Sequence, residues 1–162
     1  MDYIEQGIDV LFENKINYQK LDKMSDEIKN SKINNIEEFF ERIKSIDGIS
    51  LVIGSNGIGK TYLLEELKKY FELDKIDVNL IRFRDHDNLD SIKGAITSTS
   101  KYIIFDGLDE INSNVQNNVL EYVLSIKNKN VIVSSRRDFV QKRNLFDAKY
   151  NIYEIRQLEE YR

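Results

Sequence analysis

The sequence predicts a doubly wound α/β domain, and three observations carry that prediction. First, short apolar runs alternate with helical segments from Gly48 onward: Ile49 to Ile53, Val78 to Phe83, Tyr102 to Phe105, Val131 to Val133 and Tyr150 to Ile155. Second, runs such as Leu51-Val52-Ile53 and Ile103-Ile104-Phe105 are apolar without alternation, the pattern of parallel strands covered on both faces. Third, Leu63, Leu64, Leu67, Tyr70 and Phe71 share one helical face, and Val115, Val119, Tyr122, Val123 and Ile126 share another. The expected architecture is a five-stranded parallel sheet with helices on both faces, preceded by an N-terminal helical segment.

That segment is residues 1–46. Ile4, Ile8, Leu11 and Phe12 recur at helical spacing, as do Leu21, Met24 and Ile28, and then Ile36, Phe39, Phe40 and Ile43. An apolar stripe of this kind packs on a core or serves as a partner-binding arm. The boundary with the following domain, 47–162, is expected near residue 47.

The chain has 162 residues, 41% of them apolar and 32% charged. It suits one folded domain that buries roughly 70% of the surface of its unfolded chain. A net charge of −4 supplies no global positive field, so nucleic acid is an unlikely partner. There is no cysteine, which excludes disulfides and thiolate metal sites. No apolar run approaches the ~20 residues that span a bilayer, and the acidic, amphipathic start MDYIEQGIDVLFENK does not resemble a secretory signal. A cytoplasmic location away from membranes is the expectation.

Gly54-Ser55-Asn56-Gly57-Ile58-Gly59-Lys60-Thr61 matches the phosphate-loop pattern G-x-x-x-x-G-K-[ST] and lies between an apolar strand and an amphipathic helix, as that motif requires. Glycines let successive backbone N–H groups turn inward on phosphate oxygens, and the helix N-terminus adds the positive end of its dipole. Lys60 then reaches the β- and γ-phosphates, and the Thr61 hydroxyl is placed to ligate Mg²⁺.

Tyr102-Ile103-Ile104-Phe105-Asp106 has the form of a Walker B strand. An aspartate at the carboxyl end of a buried parallel strand stands where ligands bind in open α/β sheets, so Asp106 is the metal-site carboxylate. Just beyond it, Asp109 and Glu110 are within reach of a water attacking the γ-phosphate, with Glu110 preferred as general base. These carboxylates also suit a solvated turn or a helix cap. Arg136, at the end of Val131-Ile132-Val133-Ser134-Ser135, suits a charged phosphoryl oxygen.

Taken in order, the phosphate loop, the Ile103-to-Glu110 sequence I-I-F-D-G-L-D-E and the Val131-to-Arg136 sequence V-I-V-S-S-R resemble the NACHT family of STAND P-loop NTPases. The resemblance covers approximately Asp47 to the C-terminus. It implies an ATP-binding switch in which Asp106 organises Mg²⁺, Asp109 or Glu110 serves hydrolysis and Arg136 senses the γ-phosphate. It also implies a protein partner or self-association governed by the nucleotide. Arg137 stands where the family usually has proline, and 47–162 is expected to be a P-loop NTPase domain lacking the family's C-terminal helical and winged-helix regions.

Arg82 and Arg84 end the second strand, and Arg137, Lys142 and Arg143 extend the basic cluster begun by Arg136; solvated strand-end charges are the simplest reading. His86, the one histidine, reads as a loop residue. The region around Ile33 to Ile36 is a place for adenine contacts. ATP is expected rather than GTP because no N-K-x-D sequence follows the Walker B strand. The alternatives to a slow ATPase switch are a nucleotide-dependent scaffold that hardly hydrolyses and a small-molecule kinase with Arg137 and Arg143 on a lid.

Overall fold

The computed structural model describes residues 7–13, 32–55, 59–146 and 149–156. Within them the chain runs β1 (Ile8–Phe12), β2 (Lys32–Ile33), α1 (Ile36–Lys44), β3 (Ile49–Ile53), α2 (Lys60–Leu73), β4 (Val78–Arg82), α3 (Leu89–Gly94), β5 (Tyr102–Asp106), α4 (Gln116–Leu124), β6 (Asn130–Ser135), α5 (Arg137–Lys142) and β7 (Asn151–Ile155). Single 3₁₀ turns follow β4 at Phe83–Asp85 and β5 at Leu108–Glu110.

The five expected strands form as read, in the parallel order β7-β3-β6-β5-β4. The sheet, however, has seven strands and is mixed. β1 pairs antiparallel with β7, and β2 pairs antiparallel with β1. The expected helix at Ile8 to Phe12 is therefore corrected to a strand. Ile8, Leu11 and Phe12 fit a helical period, but Ile-Asp-Val-Leu-Phe is rich in strand-forming residues, and the backbone of β7 offers a row of hydrogen-bonding groups that β1 satisfies. Of the N-terminal helical segment, α1 forms as anticipated, with Asn35 capping it by accepting from the Glu38 N–H. The stripe of Leu21, Met24 and Ile28, and Ile4, lie outside the described residues.

Alternation along the strands sends side chains to two cores. Val52, Ile104 and Ile132 pack with Phe39, Phe40 and Ile43 of α1 and Leu63, Leu64, Leu67 and Phe71 of α2. Leu51, Ile53, Phe105 and Val133 face Ile92 of α3, Val119 and Val123 of α4 and Val140 of α5. The helices thus cover both faces, as the unbroken apolar runs require. Ile33 and Ile36 are buried in the first core, so their side chains are committed to packing rather than to a base. No helix among the described residues is long and apolar enough to cross a membrane.

A buried ion pair joins the N-terminal segment to this frame. Arg42 of α1 is fully buried and donates from Nε and a terminal nitrogen to the two oxygens of Glu13, at 2.8 and 2.9 Å. The Tyr153 hydroxyl of β7 donates to the same carboxylate at 2.8 Å. Burial, and then the Glu13 charge, holds the Tyr153 phenol well above its ordinary pKa, so it stays a donor. Removing one member of a buried, doubly bonded pair leaves the other charge uncompensated. Arg42→Met is expected to destabilise the fold by ~3–5 kcal/mol in denaturant unfolding, whereas Arg42→Met combined with Glu13→Leu recovers part of that loss.

Candidate functional site

The chemistry gathers at the carboxyl ends of β3 and β5. β3 leads into Gly54, whose N–H donates to the Ser135 carbonyl of β6 at 3.2 Å. The chain then enters α2 through Gly59, at φ +95° and ψ 21°, a left-handed conformation that a side chain would strain. α2 has no side-chain cap and no acidic residue in its first turn, so its positive dipole end keeps its attraction for an anion. Asn56, Gly57 and Ile58 lie outside the described residues.

Lys60 and Thr61 occupy the first turn of α2. The Lys60 ammonium donates to the carbonyls of Gly54 and Ser55, each at 2.9 Å, and so ties the start of α2 to the end of β3. Burial lowers the Lys60 pKa, while Asp109 and Asp106 work to raise it; a bound phosphate would act in the same direction as the carboxylates.

Thr61 Oγ1 donates to Asp106 Oδ2 at 2.9 Å. The other Asp106 oxygen accepts from Ser134 Oγ at 2.9 Å, and that hydroxyl in turn accepts from the Gly107 N–H at 2.8 Å. Asp106 is 7% exposed. β6 lies between β3 and β5, so Ser134 is carried to the space between the phosphate loop and the Walker B strand. Sequence reading gave this serine no role, although a hydroxyl within Val131-Ile132-Val133-Ser134-Ser135 is unusual for a strand buried along its whole length.

Gly107, at φ +90°, turns the chain so that Asp109 and Glu110 return toward the strand ends. The two carboxylates diverge in role. Asp109 Oδ1 accepts from the Arg136 N–H at 3.2 Å, and its Oδ2 is 3.9 Å from Arg136 Nε, so it ties the turn after β5 to the end of β6. Glu110 folds back over Gly107, its Oε1 only 2.6 Å from where a β-carbon there would sit. It is exposed at the rim, yet partial desolvation, followed by repulsion from Asp109 and Asp106, raises its pKa above the ordinary value; Arg84 and Lys60 oppose the rise.

Gly59, Lys60, Thr61, Asp106, Gly107, Asp109 and Glu110 line one cleft of about 340 Å³. A larger depression, about 1120 Å³, opens at the other end of the strands. Its Lys129 is taken up by the carbonyls of Thr97, Ser98 and Ser100, so that lysine holds loops together. The paired acidic and basic groups are in the smaller cleft.

No protein-family model matches the chain, and no curated protein sequence does either. Among solved structures, the RuvB Holliday junction branch migration motor of Thermotoga maritima is similar with a TM-score of 0.41 and 15% identity, over 75% of this chain and 39% of that one. A point mutant of Thermotoga maritima RuvB gives 0.40 and 14%, over 62% and 34%. The chain thus spans well under half of the RuvB length. At this distance the likeness bears on neither substrate nor residue roles.

The remaining basic residues are distributed differently from the simple sequence reading. Arg136 follows β6, which pairs with β3, as expected, but its guanidinium forks onto Asp138 at 3.2 and 3.0 Å and is absent from the cleft lining. The Asp138 bond raises the Arg136 pKa and lowers that of Asp138. Arg137 bonds Glu154 of β7, and Arg143 bonds Asn117 and Gln116 of α4, so neither stands over the cleft as a kinase lid would need. His86 bonds Ser91 at 2.6 Å, a loop contact as read. Arg82, taken from the sequence as a solvated strand-end charge, instead lies beside Asp106.

The Thr61 hydroxyl and the Asp106 carboxylate are hard oxygen donors of the kind Mg²⁺ takes. Among the described residues no group of three or more His, Cys, Asp or Glu stands together as a protein-only metal site. Ser134→Ala is expected to leave the Gly107 N–H without its partner and Asp106 with one bond fewer, lowering stability by ~1–3 kcal/mol in thermal or denaturant unfolding; unchanged stability would contradict the bonding described.

Proposed function

We propose that the chain is a P-loop NTPase domain that binds Mg²⁺-ATP in the 340 Å³ cleft, hydrolyses it slowly and works as a NACHT/STAND-like signal-transducing switch in the cytoplasm. The observation that carries this reading is the 2.9 Å bond between Thr61 Oγ1 and Asp106 Oδ2, which brings the two expected metal-site residues together, 45 positions apart in the chain, beside Lys60. Gly54 to Thr61 provide the phosphate loop.

In this mechanism Lys60 leaves the Gly54 and Ser55 carbonyls for the β- and γ-phosphate oxygens, a trade of neutral acceptors for charged ones. Thr61 and Asp106 would hold Mg²⁺, whose positive charge would offset that of the phosphates. Glu110 orients a water for in-line attack on the γ-phosphorus and takes its proton as the bond to the ADP oxygen breaks, giving ADP and inorganic phosphate. Asp109 is already occupied by the Arg136 backbone, which supports Glu110 as the base and Asp109 as a tether. Arg136 would sense the γ-phosphate by exchanging Asp138 for it, and that exchange would pass the nucleotide's state to α5 and to a protein partner or second copy.

The Arg136–Asp138 pairing favours a second reading, a nucleotide-dependent scaffold with little turnover, because the guanidinium is bonded to Asp138 rather than turned to a phosphate. Phosphate release from Mg²⁺-ATP, with GTP in parallel, separates the two. Turnover that prefers ATP, vanishes in Lys60→Ala and falls ~10²–10⁴-fold in Glu110→Gln is expected; wild-type release no greater than that of Lys60→Ala would reject the ATPase. A base must be ionised, and the Glu110 pKa is raised, so turnover should fall on acidification starting at a higher pH than for an ordinary carboxylate. That acid limb should be missing from the residual activity of Glu110→Gln.

A further inference from the structure

The parallel register of β4 with β5 sets Arg82 directly beside Asp106. Arg82 Nε is 3.8 Å from Asp106 Oδ2, the same oxygen that accepts the Thr61 hydroxyl. The far end of the guanidinium bonds Glu65. Thr61 and Glu65 are one turn apart on α2 and share a helix face, so the four side chains close a ring: Thr61 to Asp106, Asp106 to Arg82, Arg82 to Glu65, and back along the helix. Arg82 Nε is buried and has no hydrogen-bond partner among the described residues, so the guanidinium faces Asp106 as a charge rather than as a matched fork. Glu65 is 44% exposed and Asp106 only 9% exposed at their side chains. The carboxylate that most needs a counter-charge is therefore the inner one.

We propose, resting on the Mg²⁺-nucleotide reading above, that Arg82 is a positioning residue and a tethered counter-cation for Asp106 that makes nucleotide binding less dependent on Mg²⁺. A triphosphate arriving without metal meets Asp106 at close range, and Arg82 offsets that repulsion. A triphosphate arriving with Mg²⁺ brings its own compensating charge, and there Arg82 competes with the metal for Oδ2. One residue thus acts with opposite sign on the two ligands. The Glu65 bond gives the guanidinium an alternative partner when Asp106 takes the cation.

The test is calorimetric titration of the whole chain with a non-hydrolysable ATP analogue, once in EDTA and once in Mg²⁺, on wild type, Arg82→Met and Arg82→Lys, with thermal unfolding to establish that each variant is folded. Arg82→Met is expected to bind the analogue roughly tenfold more weakly in EDTA and equally or more tightly in Mg²⁺. Arg82→Lys, which keeps the charge, stays close to wild type in both. Loss of affinity by the same factor in both conditions marks Arg82 as merely structural and overturns the inference, as does no change in either. Wild type that binds in neither condition overturns the nucleotide-site reading and this inference with it.

Discussion

The Asp106 carboxylate organises the site because it is bonded to two elements and faces a charge from a third. Thr61 holds it from α2, Ser134 from β6, and Arg82 approaches it from β4. It is nearly buried, and a buried carboxylate persists only where hydrogen bonds and counter-charges replace its water. The two hydrogen bonds that satisfy it also fix neighbouring elements. The Thr61 bond sets the rotation of α2 and so the direction of Lys60, and the Ser134 bond sets the turn at Gly107 that returns Asp109 and Glu110 to the cleft.

Charge around that carboxylate is balanced rather than uniform. Asp106, Asp109 and Glu110 stand near one another, with Lys60, Arg82, Arg84 and Arg136 around them. The acids differ in how they are compensated. Asp106 and Asp109 have hydrogen-bond donors, whereas the Glu110 side chain has none among the described residues, and partial desolvation followed by repulsion from Asp109 and Asp106 raises its pKa. Under the proposed function, the carboxylate in that condition is the one suited to take a proton, and the one tied to a backbone N–H is suited to hold a turn.

Local pattern made much of this legible. Glycine spacing marks the phosphate loop, an apolar run closed by aspartate marks β5, and unbroken apolar runs mark strands covered on both faces. All five parallel strands lie where the sequence places them, to within a residue or two at their ends. The failures arise where tertiary partners decide. Ile8 to Phe12 fits a helical period and a strand almost equally, and the available edge of β7 settles it. Arg82 reads as solvated because its neighbour Asp106 is 24 positions away and meets it only through the β4–β5 register. Ser134 reads as filler until the strand order puts β6 between β3 and β5. Spacing along the chain carries no information about strand order, and these residues acquire their partners from that order alone.

The central claim is that Lys60, Thr61 and Asp106 form one nucleotide site, and ligand-linked stability tests it most directly. Thermal unfolding of wild type, Lys60→Ala and Asp106→Asn would be followed with and without Mg²⁺-ATP. A ligand at about a hundred times its dissociation constant stabilises by ~2.7 kcal/mol, which for a domain of this size is roughly 5–10 °C. The account predicts a rise of that order in wild type, none in Lys60→Ala and a much smaller one in Asp106→Asn. Equal shifts in all three proteins, or no shift in wild type at saturating nucleotide, would contradict it.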